Sequence, residues 1–141
     1  MNIFHLALGG CLTAPQVKYG LTEDTGGHIA YILGAAAAQA ARDDVSSVTV
    51  VTRAFDDPAL GADHAKLYQP IQDKFAIRRL RTENSAYLSK EKLSAELPDL
   101  TAAFLALIDG LKVWPDVIHA HFADAALLAA AAKARFGIPF I

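Results

Sequence analysis

The chain has a single cysteine, Cys11, among 141 residues, so no internal disulfide can form. No CxxC pair or metal-ligand spacing surrounds it, and a reducing cytoplasm is the expected location. An excess of one charge is lacking as well: the formal net charge is -2, and no basic stripe interleaved with aromatics runs along the chain. That argues against nucleic-acid binding. No apolar run reaches the roughly 20 residues of a membrane span, so no span is expected. The apolar opening from Ile3 to Leu12 contains His5 and has no Lys or Arg before it, which speaks against a signal peptide. The G-x-G-x-x-G fingerprint of dinucleotide folds is absent. The second β-branched run ends in Thr52-Arg53 rather than in an acid, so NAD binding is not expected either.

What the chain does have is 53% hydrophobic and 20% charged residues, enough apolar material for one substantial core. Asn2 to Leu8 suits a buried strand, and Gly9 to Glu23 is a loop of a length that usually carries function or is disordered. A helix is predicted from about Gly26 to Arg42; its alanines at 35 to 38, 40 and 41 make it apolar almost all round, which suits close packing on a sheet. Val48 to Thr52 predicts a second strand, and Phe75 to Leu80, with mixed charge, a third lying nearer an edge. Between them runs a polar segment with Pro58, Gly61 and His64. From Lys90 to about Leu111, apolar residues from Leu93 to Leu111 recur at helical spacing, and Pro98 marks a kink or a restart. Val117 to His121 predicts a fourth strand, Ala125 to Arg135 a third helix, and Gly137 its C-cap before a fifth strand. This alternation predicts an α/β domain with a mainly parallel sheet. Because the sequence halts inside that last strand, residues 1–141 are expected to be the amino-terminal piece of a longer protein.

Ligands of open parallel sheets gather beyond the carboxyl ends of the strands, which singles out three segments. In Asp24-Thr25-Gly26-Gly27-His28 a polar loop becomes a helix, whose first amides lack partners and carry partial positive charge. From these residues alone two readings stay open: a phosphate cradle, or a sharp turn with Asp24 or Thr25 as N-cap. Lys90, after the third strand, reads either as an anion ligand or as a solvated residue at a helix start. In His119-Ala120-His121-Phe122-Ala123-Asp124, Asp124 is a plausible N-cap, His119 packs into the sheet and His121 lies nearer the strand end. His-x-His could suggest a metal pair, yet no Cys or carboxylate at ligand spacing completes it, and no metal is expected. His5 reads as a hydrogen-bonded core residue and His64 as a loop residue.

Four blocks in order, Tyr19 to His28 with Tyr31, Val51-Thr52-Arg53, Tyr87 to Glu91, and His119 to Ala125, resemble the amino-terminal domain of sucrose-phosphate synthases and their relatives. These are retaining glycosyltransferases of the GT-B fold, and the resemblance covers nearly the whole chain. It implies a Rossmann-like, acceptor-side domain over residues 1–141, with the donor-binding domain outside this chain. It also implies transfer of glucose from UDP-glucose to fructose 6-phosphate or a related sugar phosphate, with no cofactor beyond the nucleotide-sugar donor. In that family the glycines matching Gly26 and Gly27 lie against donor phosphates and acceptor, and the lysine matching Lys90 binds the acceptor phosphate. The position of His28 is usually a glutamine that reaches the acceptor sugar, so acceptor identity stays open. Asp24, Thr25, His121 and Asp124 match residues lining the cleft, and the family's further histidine would lie past Ile141. Arg81 to Ser85 departs from the proline- and glycine-rich turn that relatives often carry. Two alternatives are a non-catalytic sugar-phosphate-binding module and a nucleotide-sugar epimerase of the same architecture.

Overall fold

Five strands, β1 (Asn2–Leu6), β2 (Ser47–Arg53), β3 (Tyr68–Gln72), β4 (Phe75–Leu80) and β5 (Val117–Ala120), form one sheet in the computed structural model, which describes residues 1–141. Their spatial order is β3-β4-β2-β1-β5, with β4, β2, β1 and β5 parallel and β3 antiparallel to β4. Three α-helices flank it: α1 (Gly27–Ala40), α2 (Leu97–Asp109) and α3 (Phe122–Phe136). Short 3-10 helices occupy Ala62–Ala65 and Lys90–Glu96. From β1 the chain builds outward through β2 to β4, then crosses back to lay β5 on the other side of β1. The strand order therefore reverses at the β1/β5 boundary, which is where a crevice opens in such sheets.

Strand alternation divides the core into two layers. One face presents Ile3, Val48, Val50 and Ile77 to Ile29, Ile32, Leu33 and Ala36 of α1. The other presents Phe4, Leu6, Val51 and Ile118 to Leu100, Phe104 and Ile108 of α2 and to Leu128, Ala129 and Ala132 of α3. Alanine at buried positions of α1 and α3 lets both helix backbones approach the sheet closely.

Several expectations need correction. The strand at Phe75–Leu80 does lie near an edge, one in from it, but the edge itself is the unexpected β3. β3 escapes a pattern search because its sequence Tyr-Gln-Pro-Ile-Gln is polar and carries Pro70, tolerated on an edge where the missing N–H faces solvent. Pro98 marks a restart, falling in the first turn of α2 after the 3-10 segment. Neither Asp24 nor Thr25 caps α1: the N-cap is Gly26, without a side-chain hydrogen bond. The third helix begins at Phe122 rather than Ala125, so Asp124 stands within its first turn and His121 is the N-cap. His64 is buried rather than a free loop residue, stacked on Phe55 at 4.5 Å. Gly137 is the left-handed C-cap of α3 at φ 74°, and the expected fifth strand is a single parallel bridge between Phe140 and Ile118.

Candidate functional site

At the carboxyl ends of β1 and β5 a cavity of about 230 Å³ opens, lined among others by Asp24, Gly26, His28, Lys90, His121 and Asp124. Three segments far apart in sequence meet there: the loop into α1, the 3-10 start at Lys90, and the β5–α3 junction. Two residues of the expected set stand elsewhere. Thr25 is buried, accepting the Cys11 amide at 3.0 Å and bonded to the Thr22 hydroxyl at 2.8 Å. Gly27 is exposed at the first turn of α1, beside the lining rather than in it.

The glycines differ in what they are for. Gly10 has φ +79°, and a Cβ there would lie 2.5 Å from the Asp24 carbonyl oxygen, so packing and backbone both require glycine. Gly26 has an extended backbone, φ -123° and ψ -160°, which any residue adopts. A Cβ on Gly26 would meet nothing nearer than the His28 ring at 3.9 Å, and one on Gly27 would meet nothing within 4 Å. The protein's own packing thus demands neither residue of the pair. Without side chains, the two leave the unpartnered amides of the α1 start open to an anion.

Asp24 ties the segments together. Its carboxylate accepts the Lys90 backbone amide at 2.9 Å and the Tyr87 hydroxyl at 3.1 Å, and the Thr22 and Tyr87 hydroxyls are hydrogen-bonded at 2.9 Å. Burial pushes the Tyr87 phenol up to about 12, with the Asp24 charge adding to the shift and the Thr22 bond opposing it. Arg53, buried at the end of β2, steadies the preceding turn by donating to the Ala86 and Asn84 carbonyls, each at 2.6 Å. Burial lowers its pKa, and Glu96 partly offsets the shift. With its backbone so fixed, Lys90 is exposed with its Nζ 5.5 Å from the centroid of the Phe122 ring.

Phe122 is the cleft residue that sequence reasoning passed over. Its φ of 72° places it in the left-handed region, a strain of about 1 to 2 kcal/mol for a residue with a Cβ. The ring is exposed, packs edge-on to His28 at 5.4 Å, and lines the cavity with it. No residue pattern signals this conformation.

His121 belongs to two settings. It lines the cavity, and its Nε2 lies 3.0 Å from Nδ1 of His5, whose Nε2 meets the Gln39 amide oxygen at 2.7 Å. His119 stacks on His121 at 4.3 Å. Burial drives His121 down to about 4, helped by His119, His5 and His28, so the ring is neutral near pH 7. His5 is lowered by burial too, against the Gln39 bond, which favours its charged form. The group that joins the His119-x-His121 pair is neither a Cys nor a carboxylate but a third imidazole, His5, from β1. No helix is long and apolar enough to cross a membrane.

A family model described as Glycosyl transferase 4-like domain matches residues 26–141. Among curated relatives, sucrose-phosphate synthase 4 of Arabidopsis thaliana is 24% identical over 162 residues, covering 100% of this chain and 15% of that protein. The sucrose-phosphate synthase of Spinacia oleracea is 23% identical over 163 residues, covering 96% of this chain and 15% of its own length. Among solved structures, a sucrose-phosphate synthase from Thermosynechococcus elongatus superposes with a TM-score of 0.71 at 19% identity, over 99% of this chain and 31% of that one. The fold is therefore that of one part of a GT-B enzyme. The chain spans less than a fifth of the length of these curated relatives.

Proposed function

The chain belongs to the family of glycosyl transferase 4-like domains, and from that premise we propose that it is the acceptor-side domain of a retaining glycosyltransferase resembling sucrose-phosphate synthase. The reaction is transfer of glucose from UDP-glucose to fructose 6-phosphate or a related sugar phosphate, inside a full-length protein whose second domain binds most of the donor. One observation carries this reading: residues from three distant segments, Gly26 and His28, Lys90, and His121 and Asp124, line a single cavity at the switch point of the sheet.

The roles proposed for these residues are those that the family resemblance implies. The α1 amides beyond Gly26 and Gly27 face phosphate oxygens, the Lys90 ammonium takes the acceptor phosphate, and His28 meets the acceptor sugar. His121 and Asp124 line the cleft, and no chemical step is assigned to them. As the donor's glycosidic bond breaks, charge accumulates on the departing nucleotide diphosphate; fixed amide dipoles and cations stabilise that charge without reorganising. An acceptor phosphate pinned at one point converts the encounter into a positioned, effectively unimolecular reaction.

The test is steady-state kinetics of the full-length protein with UDP-glucose and fructose 6-phosphate. Replacing Lys90 by alanine should raise the acceptor KM by the equivalent of about 1.5 to 3 kcal/mol, the value of a hydrogen bond to a charged group, and leave the donor KM nearly unchanged. Equal losses for donor and acceptor would reject the assignment of Lys90. Binding of the sugar phosphate without any product would favour a non-catalytic binding module, and interconversion of nucleotide sugars without acceptor would favour an epimerase.

A further inference from the structure

The cluster of His5, His119 and His121 has no part in the proposed reaction beyond the contact of His121 with the cavity. His5 and His119 are direct partners in the parallel register of β1 and β5, so their side chains leave the same face of the sheet, and His121 follows on that face two residues later. One ligand atom from each ring lies within 4.8 Å of the others, with the His5 to His121 pair at 3.0 Å. Donors in a tetrahedral zinc site stand about 3.3 Å apart, given Zn–N bonds of about 2.0 to 2.1 Å. The present separations bracket that figure. His5 is fully buried, whereas His119 and His121 are partly exposed at the sheet edge, where small ring rotations can bring the donors together.

The second observation concerns the tautomer of His5. The Gln39 amide oxygen accepts from His5 Nε2, so the proton is on Nε2 and Nδ1 presents a lone pair toward His121. A metal-bound histidine characteristically donates its other N–H to such an oxygen, which fixes the ring and raises its basicity. The three rings offer nitrogen donors alone, without carboxylate or thiolate. That donor set excludes the hard cations magnesium and calcium and suits a borderline divalent transition ion.

We propose that His5, His119 and His121 form a binding site for one divalent transition-metal ion of the zinc class, held by three neutral imidazoles with a fourth position open. His5 binds through Nδ1 and His121 through Nε2; the proton on His121 Nε2 in the metal-free hydrogen bond moves to its Nδ1, so no net charge is released.

The experiment titrates cobalt(II) and zinc(II) into the chelator-treated protein. Cobalt should produce the intense visible bands of four- or five-coordination at one equivalent, and zinc should displace it. The His119→Ala and His121→Ala variants, with folding verified by circular dichroism, should each bind at least tenfold more weakly. Gln39→Ala should weaken binding about 10- to 100-fold, the usual effect of removing an outer-shell partner. His28→Gln, outside the cluster, should retain the full cobalt spectrum. Absence of the bands, the weak spectrum of six-coordinate cobalt, or a strong spectrum that survives in folded His119→Ala would each overturn the proposal.

Discussion

Gly10 and Gly27 should respond in opposite ways to the same added methyl group. At Gly10 the new Cβ falls 2.5 Å from the Asp24 carbonyl oxygen and 3.1 Å from Cδ1 of Ile29, on a backbone at φ +79°. The left-handed conformation alone costs about 1 to 2 kcal/mol with a Cβ, and overpacking adds typically ~1 to 3 kcal/mol. Relief requires moving Asp24, whose carboxylate holds the Lys90 amide and the Tyr87 hydroxyl. Gly10→Ala should therefore lose roughly 2 to 5 kcal/mol of stability, a large share of the 5 to 15 kcal/mol typical of a domain. At Gly27 the methyl meets open space on an ordinary helical backbone. Its stability should stay the same or rise by up to about 1 kcal/mol, since alanine is the better helix former.

The difference lies in ligand binding. On the proposal that an anion sits at the first-turn amides of α1, a methyl on Gly27 crowds its approach, and phosphorylated ligands should bind at least tenfold more weakly to a protein of unchanged stability. Urea unfolding followed by circular dichroism measures the first quantity, and calorimetry with the sugar phosphate and the nucleotide sugar the second. The reasoning is refuted if Gly27→Ala binds both ligands as the parent does, or if it unfolds as readily as Gly10→Ala.

Two further outcomes are expected. The buried Arg79 guanidinium donates to the Lys66 and Leu12 carbonyls and to Gln69, so Arg79→Met should strand those acceptors and lower stability by about 1 to 3 kcal/mol in urea unfolding. Because the Tyr87 phenol is raised to about 12 in the fold, the unfolded chain releases that proton first, and stability should fall as pH climbs above the ordinary tyrosine value near 10 toward 12. Thermal melts of Tyr87→Phe across that range should decline less steeply with pH than those of the parent protein; parallel curves would exclude Tyr87 as the cause.

Elements with a strong local signal are legible in the sequence. Val48 to Thr52 could be little else than a buried strand, and the Leu93 to Leu111 spacing gave the apolar side of α2 and the turn before it. The convergence of Gly26, Lys90 and the His121 segment follows from topology alone, because parallel strands must deliver their carboxyl ends to one edge. Where conformation depends on tertiary partners, sequence reading failed. His64 sits in a polar stretch, yet Phe55 stacks on it and buries it. Phe122 takes a left-handed conformation that no local propensity favours, at the start of α3 with its ring edge-on to His28.

The histidines show most clearly why a site can stay hidden in a sequence. His119 and His121 advertise themselves by their spacing, and a search along the chain for a third ligand finds no suitable neighbour. The third ring is 114 residues away from His119, on β1. What selects it is the chain's crossover to the far side of β1, which pairs Ile3 with Val117 and so sets His5 opposite His119. Had β5 instead paired with the outer edge at β3, the same two histidines would have no partner. A ligand pair on a strand must therefore be read together with whatever its neighbouring strand places in register, and here that neighbour is fixed by the same strand reversal that opens the crevice at the carboxyl ends of β1 and β5.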